Sequence, residues 1–158
     1  MKSKKFVFLF VALLVPGIIF IFLKMFGTNQ FDIDVLYSDE MPEFTKTCDG
    51  SYTLPYRLPD SLFRAVNERS DSAVFVHFGQ PEATFIRRVM TRYSEDPVGY
   101  KVLDESNSSL KKCIFILEEP FDVALVDNKG RIRGKYNSAE REEVDRLITE
   151  LAILIRKY

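Results

Sequence analysis

An α/β domain with a central mixed sheet flanked by helices, preceded by one N-terminal transmembrane helix, is the fold class this sequence predicts. Three observations carry the prediction: an uncharged apolar stretch from Phe6 to Leu23, an apolar run at Ala73–Phe78 followed by a helical stripe, and a hairpin leading into a final helix after Pro120. The 158 residues suffice for an anchor and one domain with its own core.

The anchor comes first. FVFLFVALLVPGIIFIFL, Phe6 to Leu23, is 18 residues without a charge. At helical rise it covers about 27 Å, close to the roughly 30 Å hydrocarbon core of a bilayer. Pro16-Gly17 kinks such a helix, which membrane segments tolerate, and Lys24 can snorkel so that Met25 and Phe26 extend the span. The run is long for a signal-peptide core and no A-x-A-like site or lipobox cysteine follows, so an uncleaved signal anchor is preferred to a cleaved leader. Lys2, Lys4 and Lys5 stand before the span, with Asp32, Asp34, Asp39, Glu40 and Glu43 after it. That asymmetry puts the N-terminus in the cytoplasm and the domain on the periplasmic side of the inner membrane. The expected organisation is 1–27 anchor, 28–71 tether and N-terminal extension, and 72–158 domain.

Four lysines and no acid lie before Gly27, which leaves 18 basic and 23 acidic residues in the remainder, a net of −5. Nothing in that balance favours nucleic acid as a partner. In the extension, Phe31 to Val35 alternates apolar and acidic residues, reading as a half-exposed strand or an extended tether. Tyr52-Thr53-Leu54-Pro55 reads as an edge strand, and Asp60 as the cap of a short helix running to Arg69. Ala73–Phe78 reads as a strand covered on both faces. Pro81 then opens a helix to about residue 94, striped by Ile86, Val89, Met90 and Tyr93. Tyr100–Leu103 is a second strand, and Asn107–Leu117 is ambiguous between helical turns and strand. Asp127-Asn128-Lys129-Gly130 breaks an apolar run as a hairpin turn does, giving strands over 121–127 and 131–136. Asn137 with Glu140 fits a capping pattern for the last helix, whose apolar face is Val144, Leu147, Ile148, Leu151, Ala152 and Ile155.

This order, and above all the wording ALVDNKGRIRGKY after Pro120, resembles the Sco/SenC family of thioredoxin-like proteins that insert copper into cytochrome oxidase. The resemblance covers Ser72 to the end. It implies a thioredoxin-like fold with extra N-terminal strands, and a site at the junction of the first core strand and its helix. There the family carries a Cys-Pro-x-x-x-Cys-like motif, completed by a distant histidine as copper ligand. Here Pro81 matches the proline, while Gln80 and Thr84 stand at the cysteine positions. Glu118-Glu119-Pro120 lies near the family's histidine. An amide and a hydroxyl replace neither thiolate in disulfide exchange or in binding Cu(I). No metal and no cofactor is therefore expected.

Pro120 reads either as the cis-proline that faces the active-site helix in thioredoxin folds or as a trans strand-opening residue. His77, the single histidine, lies inside the apolar strand, and a hydrogen-bonded core histidine is preferred to a ligand. Arg87, Arg88 and Arg92 form a basic helix face, either solvated or facing an acidic partner. Cys48 and Cys113 match no zinc or CxxC spacing. Outside the cytoplasm a structural disulfide is the first reading, two buried free thiols the second, and a redox-active pair the third. No GxSxG or HExxH motif supports a hydrolase. Two functions remain: a membrane-tethered thioredoxin-like module that binds a protein partner, in the setting of respiratory-oxidase assembly that the resemblance implies, or a thiol or copper protein using Cys48 and Cys113.

Overall fold

A run as apolar as Ala73–Phe78 needs cover on both faces, and the computed structural model, which describes residues 2–26, 32–69 and 71–157, supplies it. The chain divides into two units, Met1–Phe31 and Asp32–Tyr158. In the first, α1 spans Lys2–Phe26, 25 residues with Pro16 inside. Its described large apolar side chains, among them Phe10, Ile18, Phe20 and Phe22, are exposed. Counted over the described residues alone, no helix is long and apolar enough to cross a membrane.

The second unit is built on a four-stranded sheet ordered β2-β1-β3-β4. Its strands are β1 Ala73–Phe78, β2 Val98–Leu103, β3 Val123–Asp127 and β4 Ile132–Tyr136. β1 and β2 run parallel, from Ala73↔Val98 to Phe78↔Leu103, whereas β1–β3 and β3–β4 are antiparallel. A parallel neighbour needs a crossover, and α3 (Ala83–Arg92) makes it. The remaining helices of this unit are α2 (Asp60–Val66) and α4 (Arg141–Lys157). This mixed sheet with its helices is compatible with a thioredoxin-like fold.

Strand alternation divides the core between the two faces. Ala73, Phe75, Val123 and Leu125 pack with Phe85 and Val89 of α3, with Tyr93 at its C-cap, and with Val144, Leu147, Leu151 and Leu154 of α4. Val74, Val76, Phe78, Ala124 and Val126 pack on the opposite face with Leu58, Val66, Phe115 and Leu117. A third cluster joins Ile116 and Ile132 to Tyr56, with Leu36, Met41 and Phe44 of the extension around them.

The hairpin turn is fastened by Asp127, which is fully buried. Its Oδ1 accepts the Lys129 and Arg131 amides at 2.9 and 3.0 Å, and its Oδ2 accepts Nε of Arg131 and of Arg133, both at 2.8 Å. Burial pushes this carboxyl upward, but the hydrogen bonds from Arg131, Arg133 and the Lys129 amide outweigh it and hold it below its ordinary value. Gly130 turns the chain at φ +74°.

Several boundaries differ from the sequence reading. The extension has no strand among its described residues; it carries a 3-10 turn at Glu43–Thr47. Residues 32–35 carry no regular secondary structure; the Leu36 amide donates to Ile132 O at 2.9 Å and Arg133 Nη1 to Ile33 O, which does not make a ladder. Phe31 lies outside the described residues, as does the expected 27/28 boundary. Residues 52–55 are irregular around a cis Leu54–Pro55 bond. Asp60 lies within the first turn of α2, whose N-cap is Pro59. Helix α3 starts at Ala83 rather than Pro81, because Glu82 keeps an extended backbone as N-cap (ψ 140°). Strand β2 begins earlier than expected, at Val98, to match the full length of β1.

Candidate functional site

The corner where β1 leaves the sheet begins at Gly79. Its φ is +86°, a left-handed conformation that calls for glycine, and Glu105 Oε2 lies 3.0 Å from where a Cβ would stand. The Gly79 amide donates to Leu103 O at 2.9 Å and that of Phe78 to Asp122 O at 2.8 Å. Residues 79–81 therefore depart beside 119–121. Of the expected site residues, Gln80 and Thr84 are exposed and Pro81 is half-buried. Gln80 lies two positions before the Glu82 N-cap, outside the helix. The Thr84 hydroxyl donates to Glu82 Oε2 at 3.0 Å.

Beneath the corner, His77 is 2% exposed. Its Nε2 lies 3.1 Å from Ser138 Oγ and 3.4 Å from Asp122 Oδ2, and its ring stands 5.4 Å from that of Phe85. The Ser138 hydroxyl donates to Asp122 Oδ2, and the Ser138 amide to Oδ1 at 2.7 Å. With that hydroxyl proton committed to the carboxylate, Nε2 must carry the hydrogen of the bond to Ser138. A serine relay needs the hydroxyl to give its proton to the imidazole and the carboxylate to hold the other ring nitrogen. Here both groups meet the same nitrogen, so Ser-His-Asp is a structural cluster that docks the 137–140 turn onto β1. Burial lowers the His77 pKa below its ordinary value, against the opposing pull of Asp122.

The facing wall is residues 104–120. Glu119–Pro120 is cis, and the exposed Glu119 accepts the Nζ of Lys111 at 2.8 Å. Lys111 itself is only 7% exposed. A groove of about 650 Å³ is lined by Glu105, Lys111, Cys113, Leu117 and Glu119, with Phe44 of the extension on its other side. The ambiguous stretch resolves as a π-helical turn at Leu110–Ile114, closed by Phe115 N→Leu110 O at 3.0 Å. Such a turn strands carbonyls at its end. Three tyrosines of the extension satisfy them: Tyr52 donates to Cys113 O, Tyr56 to Ile114 O and Tyr37 to Ile116 O, at 2.8, 2.7 and 3.2 Å. Burial pushes the Tyr37 phenol up to about 12, with a smaller push from Glu118. Cys48 and Cys113 are bonded to one another, Cα to Cα 5.7 Å. The bridge thus ties the extension to the wall, and Cys113 borders the corner's groove, a placement that sequence spacing did not reveal.

The basic face of α3 is partly engaged, since Arg88 pairs with Asp145 of α4. The copper centre implied by the family resemblance does not fit these side chains. The positions that the resemblance sets against the family's cysteines hold the amide of Gln80 and the hydroxyl of Thr84, Glu119 near the place of its histidine is paired with Lys111, and both sulfurs are spent on the disulfide. No family model, curated protein or solved structure matches the chain.

Proposed function

We propose that this chain is a membrane-anchored, extracytoplasmic thioredoxin-like module of Sco/SenC type that works by binding a protein partner at the β1–α3 corner, without redox or copper chemistry there. The observation that carries the reading is chemical: Gln80 and Thr84 stand exposed at the β1–α3 corner, and neither side chain is a thiolate or a soft ligand. The exposed Gln80 and Glu119 and the groove beside them offer a polar surface for recognition. Service in respiratory-oxidase assembly is part of this proposal and rests on the resemblance alone.

The anchor rests on α1. Twenty-five helical residues extend about 37 Å, set against a bilayer core of roughly 30 Å, and the apolar run Phe6–Leu23 supports the reading from sequence. Its exposed phenylalanines and isoleucines suit lipid, and Lys2, Lys4 and Lys5 orient it. The competing reading is thiol or copper chemistry at Cys48 and Cys113. Thiol counting on the full chain, purified without reductant, followed by Cu(I) titration separates the two. Partner binding predicts no free thiol and no stoichiometric copper in the oxidised chain. Tight one-to-one copper binding would overturn it.

A further inference from the structure

We infer that the open edge of the sheet joins two copies of this chain: β2 pairs antiparallel with β2 of a second copy, Tyr100 opposite Tyr100, and the two sheets continue as one. Among the described residues β2 pairs with β1 alone, so its other side is an edge. Such an edge presents amides and carbonyls as a template for another strand. The carbonyls of Pro97 and Leu103 point inward, to the Ser72 and Gly79 amides, both at 2.9 Å. By strand alternation the odd-numbered residues of β2 bond to β1, and Val98, Tyr100 and Val102 turn their backbone groups outward. The Val98 amide is met by Asp96 O at 2.8 Å. The Val98 carbonyl and both backbone groups of Tyr100 and Val102 are then the ones a partner strand would meet.

These groups fit a copy of themselves. With Tyr100 opposite Tyr100, each Tyr100 amide donates to the other's carbonyl, and each Val102 amide donates to the Val98 carbonyl of the other copy, a ladder with a twofold axis at its centre. Val102, an apolar side chain that is 44% exposed, then lies opposite Val98. Charge selects this register. Gly99 and Lys101 lie on the other face, and a Cβ at Gly99 would stand 2.8 Å from Asp71 Oδ2, so the Asp71 carboxylate occupies the place of a side chain there. Gly99 faces Lys101 of the second copy in a non-hydrogen-bonded pair, where side chains come closest, and each Lys101 meets the other copy's Asp71. Sliding the strands by one repeat of the pleat sets Lys101 against Lys101, like charges face to face, or, the other way, against Pro97 beyond the strand. A groove of about 300 Å³ along this edge is lined by Glu68, Arg69, Asp71 and Lys101 with Met90. Its acids and bases balance, so two copies meet without net repulsion. Each Lys101 holds the exposed Glu68 of its own copy at 2.8 Å, and in the pair it lies between that carboxylate and Asp71 of the other.

This contact goes beyond the proposed corner site, and its test reads oligomeric state, so it can fail while partner binding stands, and the reverse. The full chain in detergent micelles is followed by sedimentation velocity over a range of concentrations, as the native chain, as Lys101→Glu, as Asp71→Lys, and as an equal mixture of those two variants. The native chain should form a dimer. Each variant alone sets like charges together at both Gly99 positions and should weaken the dimer about tenfold or more. The mixture should recover it, because each copy then brings the charge the other needs, whereas misfolded variants would stay apart. A chain monomeric at every concentration would overturn the pairing and leave the edge to another protein's strand. A dimer that both variants leave unchanged, or a mixture no tighter than its components, would overturn it as well.

Discussion

Asp127→Asn tests how the hairpin is held. The native carboxylate is fully buried and faces Arg133, itself 4% exposed, and half-buried Arg131. Asparagine keeps one acceptor oxygen, so the two amide bonds at 2.9 and 3.0 Å survive. The amide –NH2 then faces guanidinium donors where Oδ2 accepted at 2.8 Å from Arg131 Nε and Arg133 Nε. Losing two charge-assisted bonds costs about 1.5–3 kcal/mol each. Breaking a buried ion pair from one side costs about 3–5 kcal/mol in all, and the two estimates agree near 4 kcal/mol. With a urea dependence of about 2 kcal/mol per molar, the unfolding midpoint of the sheet domain should fall by about 2 M. Adding Arg133→Met should recover part of the loss, because in the single variant the guanidinium is left with the Ile33 carbonyl and the exposed Asp32 in place of the buried carboxylate. A fall worth less than about 1 kcal/mol would refute the buried ion-pair account.

Gly134→Ala should destabilise by about 1–3 kcal/mol or more in the same urea assay, since a Cβ there would lie 2.0 Å from the Tyr136 hydroxyl, which is bonded to Glu150. The His77 pKa is lowered, so the unfolded chain takes up a proton first as pH drops below about 6.5. Its contribution is therefore complete above that pH and lost as pH falls through the folded value. His77→Phe should flatten that limb of a stability–pH curve. For Tyr37, raised to about 12, the sign reverses: stability holds to the ordinary phenol value near 10 and drains as pH climbs from there toward 12. Tyr37→Phe should remove that alkaline loss, read by thermal unfolding at pH 9 to 12.

Much of the sheet was legible because its residues obey local rules. Ala73–Phe78 is apolar without a break because β1 is covered on both faces, and Asp127–Gly130 reads as a turn from its chemistry alone. The stripe on α4 was legible too, except that Leu154 is fully buried in place of the expected Ile155, which is half-buried. What stayed hidden depends on contacts distant in sequence. Tyr37, Tyr52 and Tyr56 donate to backbone carbonyls 79, 61 and 58 positions away, and a carbonyl leaves no mark in a sequence. The π-helical turn hides for a similar reason: beyond the Asn107 side chain that accepts the Leu110 amide, it is met by the bridge, by those hydroxyls and by the core around Phe115 and Leu117. The alternation at 31–35 suggested a strand, yet the chain meets β4 through the Leu36 amide and then turns away at Tyr37, whose φ is +61°. At the corner, the absence of thiols at 80 and 84 was plain from the first reading, whereas Glu105 closing on Gly79 and Cys113 bordering the groove needed coordinates.

Partner binding at the corner is tested most directly by photo-crosslinking the full chain in its native cells, with the reactive residue placed at Gln80, at Glu119, or at the exposed Arg156 at the end of α4. The account predicts one discrete adduct, of the same mass from positions 80 and 119 and missing from 156. No adduct from either corner position, or the same mixture from all three, would contradict it.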